Sequence, residues 1–126
     1  MDIKYRVVFY TDQAGRSTIE DYIMELNSRS DKESRIKLNK VAEYIRRLQC
    51  FGTSIGKPTM VHIEGTELWE LRPLQDRIFF ALWKDDSFVL LHLFTKKSQK
   101  TPRAEVAQAL RNLKDWRERY GNDNAS

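Results

Sequence analysis

The sequence predicts an α+β fold, with two N-terminal helices and a C-terminal helix packed on an antiparallel or mixed sheet, and three observations carry that prediction. A run rich in β-branched and aromatic residues opens the chain at 3–10 (IKYRVVFY). Stretches with apolar residues at helical spacing follow it, and another stands near the C-terminus. Between them, 77–84 (RIFFALWK) and 87–95 (SFVLLHLFT) are nearly continuous apolar runs, the composition of strands covered on both faces. The expected order is β-α-α-β-β-β-β-α, in which helices and strands are largely segregated.

Each element has a local cause. Residues 11–15 (TDQAG) end the first strand with turn chemistry. Ser17 with Glu20 three positions later has the spacing of a capping box, and Ile19, Tyr22, Ile23 and Leu26 form the apolar stripe of a short helix. Asp31 caps a longer helix to about Gln49, with Leu38, Val41, Ile45 and Leu48 along one side. Gly52, Gly56 and Pro58 mark an irregular surface loop. A short strand at 60–63, a turn, and a second strand at 67–71 follow, and the first of these has the weaker signal. Pro73–Asp76 make a turn, and Lys84-Asp85-Asp86 make a tight connection between the two long strands. Thr101 or Ser98 caps the last helix, with Pro102 in its first turn and Val106, Ala109, Leu110, Leu113 and Trp116 as its buried stripe. The polar tail 121–126 is expected to fray.

A chain of 126 residues suits one domain spanning 1–126, large enough for a real core without metal or disulfide support. No run approaches the ~20 apolar residues needed to span a bilayer, and the N-terminus lacks a signal-peptide core. Cys50 is the single cysteine, no Cys/His cluster suits zinc, and a reducing cytoplasm is the simplest setting. The net charge of +4 is modest, but its placement is not. Residues 90–103 carry Lys96, Lys97, Lys100 and Arg103 with no acidic residue, so this segment alone equals the excess of the whole chain. An apolar strand that ends in clustered cations suits a polyanion; it also suits a simple solvated strand end.

Conventional catalytic signatures are absent: no G-x-S-x-G, H-E-x-x-H or Walker sequence occurs, and no acidic pair has the look of a two-metal nuclease. What remains is a set of cations at strand ends, Arg72, Arg77, Lys96, Lys97 and Lys100. If the strands flanking Pro73–Asp76 form a hairpin, the two guanidiniums lie together, which is unfavourable unless an anion visits or Glu70 or Asp76 bridges them. Such a site is able to cleave RNA, because the 2′-OH is an internal nucleophile and the protein need only orient, stabilise charge and move protons. Guanidinium matches phosphate oxygens, and a lysine with cationic neighbours can serve as base or acid. His92 is the sole imidazole near this rim, though its place inside LLHLF reads first as a core histidine. Phe94 and Trp69 are candidates for stacking on bases, with strand alternation sending at least one of them to the core.

The residues 68–72 (LWELR), 77–80 (RIFF), 90–102 (LLHLFTKKSQKTP) and 105–109 (EVAQA) resemble the RelE/ParE toxin superfamily, above all its phage-derived HigB-like branch, over about residues 3–118. The resemblance implies a RelE-like single domain and the toxin of a type II toxin–antitoxin system. It implies a ribosome-dependent mRNA endoribonuclease that works without metal or cofactor and leaves a 2′,3′-cyclic phosphate. It also implies a HigA-like helix-turn-helix antitoxin as partner, a heterotetramer with it, contact with operator DNA only through it, and no membrane. Arg72, Arg77, Lys96, Lys97 and Lys100 match the basic catalytic positions of the family, with His92, Phe94 and Arg103 as RNA-binding candidates. The chain departs from its relatives at Leu93, where they often carry Gly. A gyrase-inhibiting ParE-like toxin and a non-catalytic RNA-binding module are the alternatives, because fold does not fix function. The basic faces of the two N-terminal helices are a candidate antitoxin surface.

Overall fold

The computed structural model describes residues 2–98 and 100–121. Among these residues eight strands and helices follow in the expected order, with a 3-10 turn (Gly52–Ser54) in the segment expected as loop: β1 (Arg6–Phe9), α1 (Thr18–Ser28), α2 (Lys32–Phe51), β2 (Met60–His62), β3 (Trp69–Leu71), β4 (Asp76–Trp83), β5 (Ser87–Thr95) and α3 (Arg103–Tyr120). The weakly signalled strand β2 is real. Of the tail expected to fray, Gly121 ends α3 and residues 122–126 lie outside the described residues. No helix among the described residues is long and apolar enough to cross a membrane.

The five strands form one mixed sheet in the order β1-β5-β4-β3-β2. β1 runs parallel to β5, and the other neighbours are antiparallel. The α+β prediction holds, and the sheet separates two apolar clusters. Ile78 and Phe80 of β4 join Ile19 of α1 and Val41 and Leu48 of α2 on one face. Phe79 and Ala81, the alternate residues, join Ala109, Leu113 and Trp116 of α3 on the other. That two-sided burial explains why β4 and β5 read as continuous apolar runs.

Local chemistry sets the helix starts. The Ser17 hydroxyl accepts from the Glu20 N–H at 3.2 Å, and Asp31 accepts from the Ser34 N–H at 3.0 Å. The start of α3 differs from expectation. Pro102 itself occupies the cap position with extended backbone and no side-chain cap, while the Ser98 hydroxyl donates to the Lys100 carbonyl instead. The buried arc of α3 runs through Ala109, Leu113 and Trp116, which turns Leu110, about 100° round the helix from Ala109, toward solvent at 38% exposure. The connection after β4 is as tight as expected, with Asp85 and Asp86 both at positive φ and Ser87 N–H bonded to the Lys84 carbonyl.

One irregularity decides where the functional side chains point. Phe79 pairs with His92 but Phe80 pairs with Leu90, so Leu91 is an extra residue in β5. Such a bulge reverses the alternation beyond it. Leu93 therefore packs with the α1/α2 cluster, while Phe94 packs with the α3 cluster and His92 reaches Glu105 of α3.

Candidate functional site

The site grows from the α3-facing side of the sheet, at the β3–β4 turn and the end of β5. Register aligns Glu70, Phe79 and His92 across β3, β4 and β5, with Arg77 opposite Phe94 two positions along. Glu70 has no exposed surface, although it follows Trp69 in a three-residue strand. Its Oε1 accepts from Arg72 Nε at 2.9 Å. Its Oε2, and the Nε of Arg77, meet no hydrogen-bond partner among the described residues. Buried polar atoms normally find partners, and here an acceptor and a donor are both left over in one cluster.

Arg77 is held from its other end. One Nη donates to the carbonyls of Leu74 and Asp76, each at 2.8 Å. Leu74 sits at φ 58, a left-handed conformation unusual for leucine, within the turn that presents its carbonyl to Arg77. Burial pushes the Arg77 guanidinium below its ordinary pKa; Glu70 opposes that shift, the Arg72 charge adds to it, and Asp76 opposes it. The Arg72 charge thus bears on Arg77, as the hairpin argument required, while Glu70 bonds Arg72 alone and acts on Arg77 only through its charge. The Asp76 carboxylate is engaged elsewhere: its two oxygens accept from the Tyr22 hydroxyl at 2.7 Å and the Thr95 hydroxyl at 2.8 Å. This ties α1 to the rim and pushes Tyr22 well above the ordinary tyrosine range, mainly through burial and then through the bond to Asp76.

His92 keeps 18% of its side chain exposed, on the α3 side of the sheet. The Leu91 bulge brings it to the α3 side, half-buried, with Nε2 3.1 Å from Glu105 Oε2. Its ring lies nearly parallel to that of Phe94, centroids 6.2 Å apart, and Phe94 leans on Phe79 at 5.7 Å. Phe94 is a partly accessible aromatic of this side. Trp69 belongs to the opposite face, where it packs with the α1/α2 cluster and against His62 at 4.7 Å.

The lysines take up the rim beyond β5. The Lys96 N–H donates to the Gln75 carbonyl at 2.8 Å, which anchors the departing chain beside the β3–β4 turn. Lys96 is half-buried, whereas Lys97, Lys100 and Arg103 are exposed. Arg103 opens α3, two residues before Glu105. The sequence offers Glu70 only as a possible partner of the two arginines, and nothing local marks Glu105.

A cleft of about 480 Å³ adjoins this site and shares His92 with it. Chemically, the α3 side offers two guanidiniums around one buried carboxylate, an imidazole backed by a second carboxylate, an aromatic ring and a basic rim. That assembly is suited to holding a phosphate and moving protons beside it. The family model described as phage derived protein Gp49-like (DUF891) matches residues 24–114, a span that contains all of these side chains. No curated protein matches the chain.

Proposed function

We propose, because the chain belongs to the Gp49-like family of phage-derived proteins, a toxin–antitoxin-related family of the RelE/HigB-like kind, that it is the toxin of a type II pair and cleaves mRNA on the ribosome. The observation that carries this reading is the nearness of two guanidiniums, Arg77 and the Arg72 that pairs with the buried Glu70 carboxylate. One carboxylate balances one of the two guanidiniums on that side of the sheet, so a phosphate is the complementary guest.

The reaction follows from the RNA itself. The 2′-oxygen bonds to the adjacent phosphorus, the bond from phosphorus to the 5′-oxygen breaks, and a 2′,3′-cyclic phosphate and a 5′-hydroxyl result. Arg72 and Arg77 hold the phosphate and stabilise the added charge of the transition state. Two proton carriers are needed, one to take the 2′-proton and one to supply the 5′-oxygen. One of Lys96, Lys97 or Lys100 fills one role, and His92, steadied by Glu105, fills the other. Phe94 and Arg103 then contact the flanking RNA. A HigA-like helix-turn-helix antitoxin neutralises the protein in a heterotetramer, which touches operator DNA through the antitoxin.

Expression of the chain alone should arrest bacterial growth, with new RNA 5′ ends on translated messages, and the double substitution Arg72→Ala with Arg77→Ala should abolish both while leaving the fold intact. Full toxicity of that double variant sinks the assignment. Growth arrest with intact mRNA and DNA damage would identify a gyrase inhibitor instead.

A further inference from the structure

We propose that the cleft beside His92 receives one unpaired nucleobase of the RNA, next to the phosphate held by Arg72 and Arg77; this deepens the nuclease reading and rests on it. The cleft opens at the carboxyl ends of β1 and β5, the parallel pair of the sheet. Crevices at the carboxyl ends of parallel strands are common ligand sites, and its size of about 480 Å³ falls among small-molecule pockets.

Its walls carry the chemistry that reads a base. Tyr10, His92 and Leu93 supply aromatic and apolar surface, and Gln108 and Asn112 of α3 supply amides. Those amides are pre-oriented: Gln108 Nε2 donates to Asn112 Oδ1 at 2.9 Å, and Asn112 Nδ2 donates to the Leu91 carbonyl at 2.8 Å. The bulge that turns His92 into the site therefore also anchors this pair. Gln108 Oε1 already accepts from Arg111 and keeps one lone pair, while Gln108 and Asn112 each keep a second N–H to offer. Amide donors so placed favour a base edge that offers acceptors, as N7 and O6 of guanine do.

Arg16 adds the contact that a nucleotide needs beyond its base. It is exposed, lines the cleft, and its side chain has no hydrogen bond or ion pair among the described residues. Its loop is shaped by Asp12, whose Oδ1 accepts from the N–H groups of Ala14 and Arg16. A guanidinium at the mouth of a base-sized cleft is positioned for a neighbouring phosphate. Register relates the two parts of the site: His92 is opposite Phe79, hence diagonal to Arg77, a separation of about 7–8 Å between Cα atoms. Adjacent nucleotides of an extended strand bridge such a step.

The test is a titration of the full chain with 5′-GMP and 5′-AMP, followed by amide NMR, together with sequencing of the RNA ends produced by the wild type, Gln108→Leu and Arg16→Ala. GMP should shift Tyr10, Arg16, Gln108 and Asn112 more than AMP does, and Gln108→Leu should weaken GMP about tenfold, the scale of one lost hydrogen bond. The base preference beside the cut should flatten in Gln108→Leu. Shifts confined to Lys96–Arg103, or an unchanged base profile in Gln108→Leu, overturn the proposal and leave the nuclease reading standing. Cleft-localised GMP shifts in a wild type that cuts no RNA would uphold the cleft and remove the nuclease reading.

Discussion

Arg72 Nε lies 2.9 Å from Oε1 of Glu70, a carboxylate with no exposed surface, while the second oxygen of that carboxylate and the buried Nε of Arg77 meet no hydrogen-bond partner among the described residues. The arrangement holds two like charges close together in a partly desolvated place. The buried anion bonds Arg72 and offsets the Arg77 charge without touching it, and hydrogen-bonding capacity is left unspent. Expected consequences can be measured one at a time.

Replacing Glu70 with Gln keeps its shape and an acceptor but removes the charge that reconciles Arg72 with Arg77. Hydrogen bonds to charged groups contribute ~1.5–3 kcal/mol, so a loss of stability of about that size is expected. Urea denaturation reads it directly. A variant as stable as the wild type would mean that Glu70 has no net role in holding the two guanidiniums together.

Tyr22 links α1 to the rim through its 2.7 Å bond to Asp76, which Thr95 shares at 2.8 Å. Tyr22→Phe leaves one oxygen of the buried Asp76 carboxylate without that donor. The loss should be about 1 kcal/mol, or a melting temperature lower by roughly 3–5 °C for a chain of this size. An unchanged melting curve would show that α1 is held by its apolar contacts alone.

The exposed lysines should act through phosphate charge. Replacing Lys97 or Lys100 with Ala is expected to weaken binding of single-stranded RNA similarly for all sequences. Each change should lower the slope of log affinity against log salt by about 0.7. Filter binding across a salt series measures this, and a slope that stays constant in both variants would exclude these lysines from the RNA path.

Acid should loosen the far end of α3. Asp115 accepts from Arg119, Tyr10 and Gln13, and the Arg119 bond, followed by the Tyr10 bond, holds its carboxyl down at about 2 from an ordinary 3.8. A depressed acid stabilises the fold above the unfolded value, so this contribution is fully present above pH 3.8 and fades as pH falls toward about 2. Tyr10 has the opposite sign: burial, then the bond to Asp115, pushes it from 10.0 to about 12. Its contribution is present below pH 10.0 and is lost as pH rises toward about 12. Asp115→Asn should flatten the acid limb of a stability–pH curve, and an acid limb identical to the wild type would rule out this network as its source.

Much of the architecture is legible in the residues themselves, because its causes are local. The apolar continuity of 77–84 and 87–95 marks two central strands, Ser17 and Asp31 mark helix starts, and Arg72, Arg77 and the lysines at 96–100 are visible as cations at strand ends. The start of α3 escapes such reading by a residue, since Thr101, Pro102 and Ser98 offer competing local bonds that only the finished chain path ranks.

What the sequence alone determined is therefore which segments are strands or helices and which carry charge. Tertiary structure decided which charges share a face and what lies between them. Bringing Arg77 beside the Glu70–Arg72 pair needs the β3–β4 register, and the turn of His92 and Phe94 toward α3 needs the extra residue at Leu91. Alternation counted along β5 gives the wrong face beyond that point. A bulge is set by how two strands fit together, and a relation between strands leaves no signature within one of them.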